Sequence, residues 1–357
     1  MKRSSLLVLC VLALVLTQCA PAATPTPVIK EVVKQQTVVV KETVIAPTAV
    51  PECPKEKYAL TAPLIHPYVT QWAVGGEGAA KELGFELVYL TAADYSTTRH
   101  QELTEAAIGM PCMKGIGVMT GESATLRATM EEAVARGIYV TQSGDCPKDV
   151  SWVCMSTDVY NSAQAVAKEI AKRLNNTGNV LVAMGVPDNV HQSREDGLKD
   201  WFAANAPGMK VVGTLVNCDD AEGTVKCAEE AISKYPQMDA YYSTGLMCAV
   251  GAYSVFSEAG RDDILVTAVD DTPEVLAAIR GGKNTFTYTQ QPYGQGYLQV
   301  YIPWLMVHKG VKPTGLKNNF LDTRITIVDK SNVESYTDTM KQNFLELKKY
   351  VETEVMK

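Results

Sequence analysis

The sequence predicts an α/β protein built as two Rossmann-like lobes, each a parallel sheet covered by helices. Three observations carry that expectation. From Lys57 onward short β-rich runs alternate with helical patterns, and strand, helix, strand in repeated order implies parallel sheets with helices on both faces. Most runs are continuously apolar, as in strands buried on both sides. The chain has 357 residues, beyond the roughly 250–300 at which single cores stop growing, so two packed bodies fit it better than one.

The expected strands, in order, are "YALTAPLI", "FELVYLTA", "KGIGVMTG", "GIYVTQS", "WVCMS", "NVLVAMG", "MKVVGTLV", "MDAYYST", "DILVTAVD" and "NTFTYTQ". Helical patterns such as "TLRATMEEAVARG" and "AQAVAKEIAKRL" lie between most of them, and "SNVESYTDTMKQNFLELKKYVETEVMK" reads as a final helix. In open α/β sheets, ligands bind outside the carboxyl ends of the strands. The polar residues that follow strands are therefore the candidates: His66 with Tyr68, Asp94, Asp145, Asp188 with Arg194, then Asp219. Gly245, Asp270 with Asp271, and Gln290 with Gln291 complete the series. Arg194 stands out among them. Pro187-Asp188-Asn189 breaks the chain and Leu198, Trp201 and Phe202 then recur at helical spacing, so Arg194 falls near a helix's first turn. The macrodipole there disfavours a cation.

Ahead of this body, Lys2 and Arg3 precede the short apolar run "LLVLCVLALVL", the pattern of an export signal. Leu16-Thr17-Gln18-Cys19 resembles the lipobox of bacterial lipoproteins, which implies residues 1–19 as signal and Cys19 as the lipidated residue; Gln18 stands where a small residue is usual. Secretion with cleavage nearby is the alternative. Residues 20–56, dense in Pro, Thr and Val and without aromatics until Tyr58, read as a tether. A net charge of −7 argues against nucleic acid as a partner. No later segment reaches the roughly 18 apolar residues of a membrane span.

Nine cysteines fit an oxidising compartment. Cys146 with Cys154 and Cys218 with Cys227 are close enough to close local disulfide loops, leaving Cys53, Cys112 and Cys248 with at least one unpaired. No CxxC occurs and the four histidines are scattered, so no metal site is expected. A dinucleotide fingerprint is missing from the first strand-to-helix turn, which reads "LIHPYVTQW"; Gly75-Gly76-Glu77-Gly78 lies inside a helix. Neither a phosphate-binding loop nor GxSxG is present, and no cofactor is expected.

The series "IHPYV", "STDVYNSAQAVAKEI", "QSREDGLKDW", "VDDTPEVLAAI" and "TQQPYGQGY" resembles the type I periplasmic binding proteins, and within them the ribose/galactose-type sugar-binding subfamily of ABC importers. The resemblance covers roughly residues 57 to 330. It implies a Venus-flytrap architecture, two lobes joined by three crossing segments near Ser156–Tyr160, Thr289–Pro292 and Leu321–Arg324. The N-lobe would comprise 57–158 plus 291–320, and the C-lobe 159–290 plus 321–357 with the C-terminal helix. Position by position, His66 falls where the family often has a sugar-bonding Asn, and Tyr68 on an aromatic that stacks on the ring. Arg194 coincides with a ligand-binding arginine, Asp270 with an aspartate after its strand, and Gln290 with a glutamine before the second crossing. Asp145 approximates an Asp-Arg pair whose arginine is missing from "SGDCP". Gly245-Leu246 stands where the family shows Asn-Asp, and Val69 replaces a second aromatic.

Each candidate also has a plainer role. His66 before Pro67 can cap a helix that starts with proline, Asp270-Asp271 can cap the helix after Thr272-Pro273, and Asp219-Asp220 read as helix caps. Trp72 reads as core and Gln290 can satisfy hinge backbone groups. The resemblance implies a non-enzymatic, monomeric receptor for a small sugar or polyol, outside the cytoplasmic membrane, with an ABC permease and its ATPase as partners and a lipid anchor as its membrane contact. A sensory receptor serving a chemoreceptor or histidine kinase is the alternative within the same fold. An exported glycosidase would need two carboxylates about 5–10 Å apart, and the export signal argues against a DNA-bound repressor.

Overall fold

The structure, a computed structural model, describes residues 53–120, 123–144, 146 and 150–357. The signal segment, Cys19, the tether up to residue 52, and Asp145 lie outside the described residues. The body opens with β1 (Lys57–Ala62), α1 (Pro67–Leu83), β2 (Glu86–Thr91) and α2 (Thr97–Ile108). It continues through β3 (Met113–Thr120), α3 (Ser123–Ala135), β4 (Tyr139–Gly144) and β5 (Val153–Ser156). The second half alternates α4 (Val159–Arg173), β6 (Thr177–Ala183), α5 (Asn189–Asn205), β7 (Gly208–Leu215), α6 (Ala221–Lys234) and β8 (Ala240–Ser243). After α7 (Val250–Glu258), β9 (Leu265–Val269), α8 (Pro273–Arg280) and β10 (Thr285–Thr289), the chain returns through α9 (Pro292–Lys309). The short β11 (Phe320–Asp322) and β12 (Thr326–Val328) precede α10 (Tyr336–Tyr350).

Two six-stranded sheets result, in the orders β11-β5-β4-β3-β1-β2 and β12-β10-β9-β8-β6-β7. All neighbours in the first sheet run parallel; in the second only β10 and β12 are antiparallel. The central strands β8, β9 and β10 are buried at every residue, the alternate threonines of β10 included, whereas the edge strands β2 and β7 stay half-exposed. This is the two-lobed α/β architecture the alternation predicts.

The chain passes between the sheets after β5, after β10, and between β11 and β12. At the second passage α9 returns under the first sheet and packs against α1. A Cβ on Gly75 would stand 2.0 Å from the Tyr293 carbonyl oxygen, and one on Gly296 1.7 Å from that of Trp72. Only glycine lets the two helix backbones approach so closely. Trp72 itself is wholly buried in this core.

The sequence reading placed 321–357 with the C-lobe, but Leu321 pairs with Met155 in the N-lobe sheet. The carboxyl-terminal segment serves both lobes: Val333, in the turn before α10, and Tyr336 join the C-lobe core, while Phe344, Leu347, Val351 and Val355 join the N-lobe core. Lys348 Nζ reaches Glu82 Oε1 at 2.6 Å, and Met356 bridges to Pro313. An amphipathic pattern specifies that one face is buried, not which neighbour buries it.

Disulfides join Cys146 to Cys154 and Cys218 to Cys227. Cys53 pairs with Cys112, 59 residues away, tying the start of the body to the turn before β3; Cys248 is free and buried.

Candidate functional site

The carboxyl ends of strands from both sheets open on a single cleft of about 1110 Å³. The N-lobe wall carries His66 and Tyr68 after β1, Tyr95 after β2, and Ser143 at the end of β4. The facing wall carries Arg194, Asp219, Gly245, Asp270 and Gln290, each from the end of a different strand or the helix it feeds.

His66 does cap α1: its Nδ1 accepts from the Tyr68 N–H at 3.2 Å, and Pro67 supplies the first turn. The cap leaves its ring in the cleft wall. Burial holds the His66 imidazole below its ordinary pKa, with the Asp219 charge opposing. Tyr68 OH donates to Gln295 Oε1 on α9, and burial raises its pKa.

Arg194 is the sixth residue of α5, one turn further in than expected, because Asp188 caps the helix through the His191 N–H at 2.8 Å. The arginine is only 7% exposed. Its Nη1 donates to the Thr244 carbonyl at 2.5 Å, its guanidinium lies 6.0 Å from the Tyr288 ring centroid, and its Nε is buried without a partner. The guanidinium is thus fixed on one side and carries an unsatisfied donor on another.

Asp270 follows β9 with φ of 62°, left-handed backbone that costs energy for a residue other than glycine. Its Oδ1 accepts from Gln290 Nε2 at 3.1 Å, and its carbonyl from Thr287 Oγ1 at 2.6 Å. It does not cap α8. Thr272 does, through the Val275 N–H, while Asp271 turns away from the cleft to accept from Tyr336 OH at 2.8 Å. Burial lifts the Asp270 carboxyl from the usual 3.8 to about 6; the Gln290 hydrogen bond and Arg194 oppose the shift, and Asp271 and Asp219 add to it. Between those two pH values the folded state holds a proton that the unfolded chain has lost. Stability is therefore present below the window and is lost as pH rises through it. In thermal unfolding without ligand, the midpoint of Asp270→Asn relative to wild type is expected to climb between pH 4 and pH 6 and to level off above. A difference that stays flat over that range would mean an unburied carboxyl.

Sequence reasoning missed His191, whose Nδ1 lies 2.9 Å from Thr244 Oγ1 and whose ring also lines the cleft. The signal was available: His191 is three residues before Arg194 and so shares its helix face. It also read Asp219 as a cap. Asp220 alone caps α6, through the N–H groups of Glu222 and Gly223, and Asp219 lines the cleft. Asp145 lies outside the described residues, but its neighbour Cys146 is in the wall. A second hollow of about 810 Å³, between the starts of α1 and α8 and the inner face of α10, shares Tyr68, Leu246 and Asp270 as walls. Among the described residues no three His, Cys, Asp or Glu side chains gather as metal ligands. No helix among them is long and apolar enough to cross a membrane.

Two α/β lobes enclosing a cleft at their strand ends, with polar side chains converging on it, define a two-lobed solute-binding architecture. Residues 60–309 match the periplasmic binding protein domain, and the chain belongs to that family. The ribose import binding protein of Bacillus subtilis (strain 168) is 23% identical over 230 residues, covering 64% of this chain and 74% of that one. Among solved structures, the sugar-binding protein of a sugar ABC transporter from Bacillus halodurans superposes with a TM-score of 0.72 at 24% identity, over 79% of this chain and 100% of the other. An arabinose-binding protein from Geobacillus stearothermophilus gives 0.71 at 24% identity, over 79% and 99%. At that identity the structural likeness speaks for the fold.

Proposed function

We propose that the protein is a non-enzymatic, extracytoplasmic receptor that captures a small carbohydrate, a monosaccharide or related polyol, between its two lobes and delivers it to an ABC import permease. The observation that carries this reading is the pairing of Arg194 and Asp270 in one cleft, a buried donor with an unpartnered Nε beside an acceptor held in left-handed backbone. Arg194 would donate to ring or hydroxyl oxygens, Asp270 would accept from hydroxyls, Gln290 and His66 would add contacts, and Tyr68 would cover one face of the ring. The B. subtilis relative is named for ribose import, which supports the same ligand class. Binding would favour the closed form only as far as the ligand prefers it, and closure would mark the loaded state for the permease. The export signal and Cys19 would hold the body outside the cytoplasmic membrane through a lipid.

Thermal unfolding of the full-length chain in the presence of D-ribose, L-arabinose, D-xylose, D-allose, D-galactose and ribitol tests the reading. A ligand at a hundredfold excess over its Kd stabilises the folded state by about 2.7 kcal/mol, so at least one of these is expected to raise the midpoint by several degrees. A shift with amino acids and none with any polyol would overturn the ligand class.

A further inference from the structure

We propose that Asp219 is a ligand-reading carboxylate, brought from the turn after β7 into the seat left open by Gly245, and that the cleft therefore takes neutral, hydroxyl-donating rings rather than sugar acids or sugar phosphates. The proposal rests on the cleft being the carbohydrate site proposed above.

The two adjacent aspartates have separate tasks. Asp220 spends its Oδ1 on the first turn of α6. Cys218, on the other flank, is locked to Cys227 in the same helix. Between these two anchors the Asp219 side chain is directed sideways, over the end of β8. A Cβ on residue 245 would stand 2.5 Å from the Asp219 carboxyl carbon and 2.6 Å from both its oxygens. Any side chain there would evict the carboxylate, so the glycine and the aspartate are complementary. The seat is built: the Met247 N–H donates to Oδ1 at 2.5 Å and Cys248 Sγ lies 3.8 Å from the same atom. Oδ2 takes no hydrogen bond from the described residues, in a side chain that lines the cleft. Gly245-Leu246 brings no polar side chain of its own to this wall, and Asp219 fills that place from the neighbouring turn.

The charge pattern sets the ligand class. Carboxylates only accept hydrogen bonds, and guanidinium only donates them. Asp219 and Asp270 thus ask for two donors, and Arg194 for an acceptor. Among the described residues the charged side chains of the cleft wall are Asp158, Asp219 and Asp270 against Arg194 and Lys317, an excess of one negative charge. An anionic ligand meets net repulsion, whereas a ring bearing several hydroxyl groups both donates and accepts.

Calorimetric titration of the full-length chain with D-ribose, L-arabinose, D-xylose, D-allose and D-galactose, and with D-ribose 5-phosphate and D-glucuronate, tests the proposal. The wild type is expected to bind a neutral sugar and neither anion. Asp219→Asn, which keeps an acceptor for the Met247 N–H, is expected to raise the Kd for that sugar more than tenfold. Gly245→Ala, which displaces the carboxylate by contact, is expected to do the same, and the double variant to be no worse than the weaker single one. An Asp219→Asn variant that binds within twofold of wild type while Arg194→Ala binds nothing would overturn this proposal and leave the site standing. So would a wild type that prefers an anion. Wild-type affinity in both Asp219→Asn and Arg194→Ala, or a wild type that ignores every sugar, would overturn the site and the proposal together.

Discussion

Arg194→Ala is expected to weaken sugar binding more than a hundredfold while leaving the unliganded protein folded. Hydrogen bonds that involve a charged group contribute roughly 1.5–3 kcal/mol each when water is excluded. With Nη1 committed to the Thr244 carbonyl, Nε and Nη2 remain for ligand. Losing two such bonds costs about 3–6 kcal/mol, and each 1.4 kcal/mol is tenfold in Kd. The effect on folding has opposing parts. The variant leaves the Thr244 carbonyl without its donor, but it also removes a buried cation whose desolvation opposes folding. These parts are of similar size, so the unliganded midpoint should move little. Arg194→Lys should recover only part of the affinity, because an ammonium cannot reproduce the planar fork. Calorimetry and unfolding of the same three proteins check both halves. A large loss of unliganded stability would make Arg194 a structural residue, and unchanged affinity would remove it from the site.

The charge that looked misplaced in the sequence thus has a structural explanation: α5 begins at the end of β6, and its second turn overhangs the cleft. That much was legible, because strand, breaker and helical period were all local signals in residues 182–202. His66, Arg194, Asp270 and Gln290 could be named for the same reason, each following its own strand. Asp219 could not. Its position depends on Gly245, 26 residues away on another strand end, and a one-dimensional reading sees only two aspartates before a helix, which is a cap signal. Strands β11 and β12 were equally hidden: three residues each, too short for periodicity to register, and fixed only by the edges of β5 and β10. The antiparallel direction of β12 follows, since the chain crosses from one sheet to the other in three residues and has no room for a helix that would bring it back parallel.

The division of α10 between the lobes was the largest feature the sequence withheld, and it yields the second large effect. Phe344→Ala is expected to destabilise the protein by about 3–5 kcal/mol, the usual cost of emptying a buried aromatic site. Phe344 is 8% exposed, and its ring meets Tyr293 at 5.3 Å and Tyr297 at 5.0 Å in edge-on geometry, so the cavity would open in the middle of an aromatic cluster that cannot collapse without moving α9. Leu345, the next residue, is 48% exposed, and its alanine variant should stay within about 0.5 kcal/mol of wild type. Urea unfolding of the pair separates burial from helix propensity, since both substitutions place alanine in the same helix. The expected record is a lower midpoint for Phe344→Ala at an unchanged slope, which means lost stability and the same surface exposed on unfolding. A loss of this size is a large part of the roughly 5–15 kcal/mol that holds a domain folded. It would fall on the N-lobe, although Tyr336 and, just before the helix, Val333 bind its start to the other lobe. Equal midpoints for the two variants would mean that the carboxyl-terminal turns of α10 do not pack on the N-lobe.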